Sequence, residues 1–476
     1  MVSPTEALLN FVAQVRFEDL PKGVVNQTKL LILDSVGISV AAIKTQKGTY
    51  GIELARRFGG PPEAGVLGTR DRVSATAAAF ANGELMNALD WDAFPFPTHS
   101  PPIVIPSQLT LGEASGASGK QMILAAAVGF ELSRRLGIAI RGQRLVFDRE
   151  EGSEVGKIAG TKYAVSAIAC PVIAAAAGAA KFKNFDREKL SNVVGLAAHF
   201  SPFPQAKWKK EPIGAMTKYI CCGWASLAVA AATQLADMGY TADTTVLDGD
   251  LGYWRCFGGD KWDPDALIEG LGQEWRFPPL VEYKPYPCCA FYAVFLDCFN
   301  KIAEDNNLNP EDIQEVRIKS GPWPVPPPSW GKVKSHIHAQ FHPQYLIACS
   351  AFRISRADWQ DEETMRNPEI EKFMDRVSLK LDPHPDSKKV ADREPGANMT
   401  IVEVLAKGRT FREEGKYTKL ASTRALSHLT PDDLVKKFRS NASKVLPKDK
   451  TEKAITNLLE LENVEVISEV LKQVTL

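Results

Sequence analysis

Seventeen consecutive residues, Ala164 to Ala180, carry no charge, and the stretches Ser74–Leu89 and Cys221–Met238 are similarly Ala-rich and nearly uncharged. A helix that is apolar all round needs either protein or lipid on every side. Ala164–Ala180 is short for a bilayer, rich in Ala and Gly rather than Leu and Ile, and broken by Pro171. These runs therefore predict helices buried inside a large bundle, whose alanines let neighbouring helices approach closely. At 476 residues with 45% apolar side chains, the chain can bury one very large core or two ordinary ones; two domains are expected.

The helical pattern holds through residues 1–268. Val24–Ala42 is long and apolar, Ser74–Leu89 leads directly to Asp90, and Ile105–Ala114 and Gly119–Leu136 follow. Near Gly270 the pattern changes. Val281–Lys284, Ile313–Lys319, Val377–Leu381 and Met399–Leu405 read as strands, with a helix over Phe291–Asn306. The expected fold is mainly α: an all-helical domain over 1–268 and a smaller α+β domain over 269–429. The Pro-rich stretch 321–331, with Trp323 and Trp330, is expected as an extended loop that packs on its own domain or lines a pocket at the domain boundary. Thr430, Pro431 and the acidic pair Asp432–Asp433 open a further helix. The segment 430–476 is expected to return and pack on one of the domains, the helical one being a candidate.

Lys and Arg balance Asp and Glu at 57 each, with no long basic block, so neither nucleic acid nor a membrane surface is an expected partner. A small molecule is. The N-terminus lacks the charged and apolar regions of a signal peptide, which predicts a cytoplasmic protein. Eight cysteines include the pairs Cys221–Cys222 and Cys288–Cys289 but no Cys-x-x-Cys spacing. Reduced thiols and no metal are expected.

Chemistry is concentrated between the first helices. Leu89-Asp90-Trp91-Asp92-Ala93-Phe94-Pro95-Phe96-Pro97-Thr98-His99-Ser100-Pro101-Pro102 places two carboxylates, a histidine and four prolines in fourteen residues. A loop held by rigid helices is where reacting groups commonly sit; the alternative is a Pro-stiffened connection whose aspartates cap helix ends. Two lysines stand beside the cysteine pairs, in Met216-Thr217-Lys218-Tyr219-Ile220-Cys221-Cys222 and Tyr283-Lys284-Pro285-Tyr286-Pro287-Cys288-Cys289. A cation at a helix entrance opposes the helix dipole, so either an anionic ligand is shared there or the lysines reach solvent. Tyr345, in Phe341-His342-Pro343-Gln344-Tyr345, reads locally as core.

Together these segments resemble the MmgE/PrpD family, which includes 2-methylcitrate dehydratase and cis-aconitate decarboxylase. The resemblance runs through nearly the whole chain in order. It implies a homodimer of subunits with a helical domain and an α+β lid, and a cofactor-free site between them. Carried over, Asp90 would orient the site, His99 would be an acid or base, Lys218 and Lys284 would bind carboxylates, and Tyr345 would exchange a proton.

Three histidines of the family pattern are replaced, in Gly160–Val165, at Cys221–Cys222 and in Phe291–Ala293, and its threonine falls at Ala93 or Phe94. Phe94, Phe96 and Trp208 or Trp323 would make the site less suited to a highly charged substrate. The sequence therefore suggests a lyase or isomerase acting by proton transfer on a bulkier carbon acid, such as a secondary-metabolite intermediate. The alternatives are a dehydratase or decarboxylase of a small di- or tricarboxylate, with Lys162 or His199 replacing lost contacts, and an inactive dimeric scaffold; Asp92 and Phe94 are expected to bind substrate beside Lys284.

Overall fold

The computed structural model describes residues 2–140, 166–202, 215–217, 221–256, 262–320, 331–381, 398–417 and 429–476. Among the described residues, nine principal helices build the first part: α1 (Pro4–Gln14), α2 (Lys22–Ala41), α3 (Gln46–Phe58), α4 (Ala75–Ala88), α5 (Pro101–Ala114), α6 (Gly119–Ala139), α7 (Ser166–Ala179), α8 (Arg187–Phe200) and α9 (Cys222–Asp237). Helix α4 lies among α3, α5 and α9, and α7 packs on α5, α6, α8 and α9. The segment Lys22–Lys44 is long and apolar enough to span a bilayer by composition, yet 78% of its most apolar stretch is buried inside the fold.

Ser74 starts α4 by accepting a hydrogen bond from the Ala77 amide, and Gly239, at φ 93°, follows α9. Helix α5 begins at Pro101, earlier than the expected Ile105, because Pro101 and Pro102 fall in its first turn, where no N–H is needed. Helices α4 and α9 cross on glycine. A Cβ on Gly223 would lie 2.4 Å from the Phe80 carbonyl oxygen, and one on Gly83 2.6 Å from Ser226 Oγ. This crossing sets Glu84 at the start of α9.

Two apolar cores form. One gathers Leu8 through Val281 and takes in Leu434, Phe438, Leu458 and Val474 from the C-terminal helices; the other gathers Tyr286 through Ala406. The helix Pro431–Ala442 has a Thr430–Asp433 capping box and packs on α2.

Four short strands come first: β1 (Ala64–Gly65) pairs with β2 (Arg72–Val73), and β3 (Phe94–Pro95) with β4 (Val281–Glu282). The second core carries β5 (Ile313–Ser320), β6 (Val377–Leu381), β7 (Asn398–Ala406) and β8 (Arg409–Tyr417), in the order β6-β5-β7-β8. Strands β5 and β6 are parallel, and the other pairings are antiparallel. Two features go beyond the sequence reading. Val281–Glu282 does not join the four-stranded sheet but pairs with the loop that holds Asp90 and His99. Strand β8 has too many charges to read as a strand, yet it pairs with β7 through a hairpin whose turn, Lys407-Gly408, has φ of 50° and 69°.

His338 lies buried in this second core, accepting from the Lys334 amide at Nδ1 with its ring against His342. Burial, with His342 and Lys334 adding to it, lowers its pKa from 6.5 to about 4. The unfolded chain therefore binds this proton more tightly, so the stability from a neutral His338 is complete above pH 6.5 and is lost as pH falls toward 4. The shift corresponds to roughly 3 kcal/mol. Urea unfolding between pH 7 and 4 is expected to show this loss, and His338→Gln to flatten it.

Candidate active site

The loop after α4 is shaped from both cores. Asp90 adopts the left-handed conformation, φ 53°, which Asp tolerates better than most residues. From the second core, Gln340 Nε2 donates to the Ala88 carbonyl at 2.7 Å, while Gln360 Nε2 donates to the carbonyls of Leu89 and Pro287 at 2.7 and 2.8 Å. Arg134 donates to the Phe96 carbonyl from α6. The last carbonyls of α4 are thus satisfied by side chains across the domain seam.

Lys284 is buried, and its Nζ donates to both the carbonyl oxygen and Oδ1 of Asp90, each at 2.8 Å. Burial opposes its charge, but Asp90 and Asp92 outweigh that and raise its pKa. The anion that Lys284 requires is therefore supplied by the protein. This corrects the dipole argument for Lys284: the nearest long helix starts only at Ala293.

Asp92, also buried, accepts from Asn87 Nδ2 at 3.2 Å, and Asn87 Oδ1 accepts from Lys47 Nζ at 3.0 Å. Lys47 lies 3.5 Å from Glu84, whose Oε1 accepts from the Gly223 amide at 2.7 Å and the Cys221 thiol at 3.1 Å. Glu84 is the acidic group favoured at the start of a helix. Burial, reinforced by Glu84, pushes the Cys221 thiol up to about 12, which keeps it protonated. A third buried lysine, Lys437 from the C-terminal helix, sits 2.7 Å from Asp34. Burial raises the Asp34 pKa and lowers that of Lys437, against their mutual attraction.

His99 stands at the edge of this group, its side chain 20% exposed, with Nδ1 3.6 Å from Asp92 Oδ2 and its ring centroid 4.6 Å from that of Phe94. A carboxylate facing Nδ1 favours the tautomer protonated there, leaving Nε2 with the free electron pair. The arrangement can accept or deliver a proton beside an interior in which Lys47, Lys284 and Lys437 are each paired with a carboxylate. Among the described residues, no group of three or more His, Cys, Asp or Glu side chains is placed to hold a metal.

Asp90, Asp92, Phe94, His99 and Lys284 are therefore brought together. Tyr345 belongs to the second core. Its side chain is fully buried in the second core, its hydroxyl donates to the Trp359 carbonyl, and burial raises its pKa far above the ordinary range. His199 is exposed on the last turn of α8, with its ring near that of Phe200. Lys162, Lys218, Trp208, Trp323 and the Pro-rich stretch 321–330 lie outside the described residues.

Sequence reasoning missed Asp34, Lys47, Glu84, Asn87 and Lys437. A signal existed for two of them: Asp34 is the lone charge between Lys29 and Lys44, and Glu84 the lone charge of α4.

A family model described as the MmgE/PrpD N-terminal domain matches residues 6–265, and one described as the MmgE/PrpD C-terminal domain matches residues 286–461. The chain is 24% identical over 494 residues to cis-aconitate decarboxylase of Mus musculus, covering 97% of this chain and 91% of that protein. Against cis-aconitate decarboxylase of Homo sapiens it is 24% identical, covering 99% and 95%. A cis-aconitate decarboxylase-like protein, oryM of Aspergillus oryzae, is 23% identical, covering 57% of this chain and 56% of that protein.

Proposed function

The chain belongs to the MmgE/PrpD family, and from that premise we propose that it is a lyase that decarboxylates a small unsaturated tricarboxylate of the cis-aconitate type. The observation that carries this reading is the Asp92–His99 contact at 3.6 Å, at the edge of a buried group in which Lys284 holds Asp90. The relatives named cis-aconitate decarboxylase along nearly the full length support it. They favour the small-carboxylate reading over the bulkier substrate suggested by the sequence.

The chemistry follows from the substrate. Cis-aconitate carries a carboxylate on a methylene next to a carbon–carbon double bond. When that carboxylate leaves as CO2, its electron pair forms a new double bond, and the old one moves its electrons to a carbon beside another carboxylate. That carbon takes a proton. Protonated His99 would deliver it from Nε2, and Asp92 would hold the imidazolium. The proton delivered to that carbon would neutralise the negative charge that develops there as the carboxylate leaves. The working unit in this reading is a homodimer in the cytoplasm, which sedimentation and fractionation would test.

The test is direct: CO2 release from cis-aconitate, with 2-methylcitrate supplied in parallel. Turnover of cis-aconitate is expected. No CO2 from cis-aconitate would defeat the reading. Phe94 against His99 favours a second one, proton transfer on a larger and less charged carbon acid. That reading requires turnover of a monocarboxylate or ketone carbon acid in preference to cis-aconitate.

A further inference from the structure

We propose that Lys437, braced by Asp34, is a positioning residue for this site, tying the Asp90–Asp92 loop to the Lys284 segment from the side of the C-terminal helix. Lys437 Nζ donates to the Trp91 carbonyl at 3.1 Å and to the Lys284 carbonyl at 3.3 Å. Trp91 is the residue between the two aspartates. The ammonium also lies 4.7 Å from the centroid of the Trp91 ring. One cation therefore holds the backbone of both segments that carry the site's charged groups, and does so from 346 and 153 residues away in sequence.

Asp34 makes this possible. It sits on α2, against which the helix Pro431–Ala442 packs, and its Oδ1 is 2.7 Å from Lys437 Nζ. An ammonium buried this deeply without a carboxylate would favour losing its proton. With Asp34 in place, Nζ keeps its donors aimed at the two carbonyls. The chain thus uses its C-terminal helix Pro431–Ala442 to hold a site whose charged groups, Asp90, Asp92, His99 and Lys284, lie before residue 290. Asp92 falls within the electrostatic reach of both Asp34 and Lys437, so the pair also borders the carboxylate that faces His99.

A pair that merely stabilised the fold could be replaced by apolar residues of similar volume at little cost. A positioning pair could not be replaced without loosening the two segments. The variant D34L/K437M removes both charges together and strands neither. Its amide exchange, followed by mass spectrometry, is expected to rise about tenfold in peptides covering 89–100 and 281–290, with α4 and α9 unchanged. With cis-aconitate, kcat is expected to fall by about tenfold or more and KM to move less than about threefold, since misplaced proton-transfer groups lower the rate more than the binding.

The activity arm rests on the decarboxylase reading, and the exchange arm does not. Faster exchange confined to the two segments in a protein whose wild type ignores cis-aconitate would uphold the tether and defeat the substrate. Unchanged exchange in both segments, or wild-type kcat, would overturn the tether. If D34L/K437M does not fold, D34N/K437Q keeps amide donors near the carbonyls. It is expected to show the same localised exchange at smaller amplitude and a kcat lowered about threefold, and wild-type exchange in it would likewise overturn the proposal.

Discussion

His99→Gln is expected to lower turnover of cis-aconitate by about 10²–10⁴-fold, the range for removing a positioned acid or base. The same change should scarcely affect stability, because the ring stands at the edge of the buried group with 20% of its surface exposed. Glutamine keeps a polar side chain of similar reach against Asp92 and Phe94 but cannot carry the proton. Steady-state kinetics and a melting curve on the same preparation check both halves. A variant that melts with the wild type and turns over at its rate would remove His99 from the reaction.

The largest loss of stability is expected from Lys284→Met. Lys284 Nζ makes two hydrogen bonds to Asp90, and both side chains are almost wholly excluded from solvent, at 2% and 0% exposure. Removing the cation leaves a buried carboxylate on a residue already held in the left-handed conformation. Breaking a buried ion pair from one side typically costs about 3–5 kcal/mol. Asp90→Asn in the same background relieves the stranded charge, so the double variant should be more stable than Lys284→Met alone. Urea unfolding of the two single variants and the double gives the coupling energy. Additive losses, with no relief in the double, would mean that the Asp90–Lys284 pair does not hold the loop.

Much of the helical part was legible because its signals are local. The Ala-rich runs, Ser74 before α4 and the Thr430–Asp433 box each state their structure within a few residues. The loop 89–102 stood out as a candidate because two carboxylates, a histidine and four prolines fall in fourteen residues. Its surroundings were not. Lys437 reaches Trp91 across 346 residues, and Gln340 reaches Ala88 across 252, contacts that no periodicity encodes.

Tyr345 is read differently by its motif and by its packing. The family motif gives it a role, while its Oη–Trp359 bond and full burial give it the place of a core tyrosine. Strand β8 was missed because its side chains are polar on an edge position, where pairing depends on the backbone and the Lys407-Gly408 turn rather than on burial.

The central claim is that a proton passes to carbon beside His99 as a carboxylate leaves. Incubating the enzyme with cis-aconitate in deuterated water, and following CO2 together with carbon-bound deuterium by NMR and mass spectrometry, tests it most directly. One deuterium on carbon is expected for each CO2 released in the wild type, and neither in His99→Gln. CO2 released without carbon-bound deuterium, or a His99→Gln enzyme that yields the same deuterated product at the wild-type rate, would contradict it.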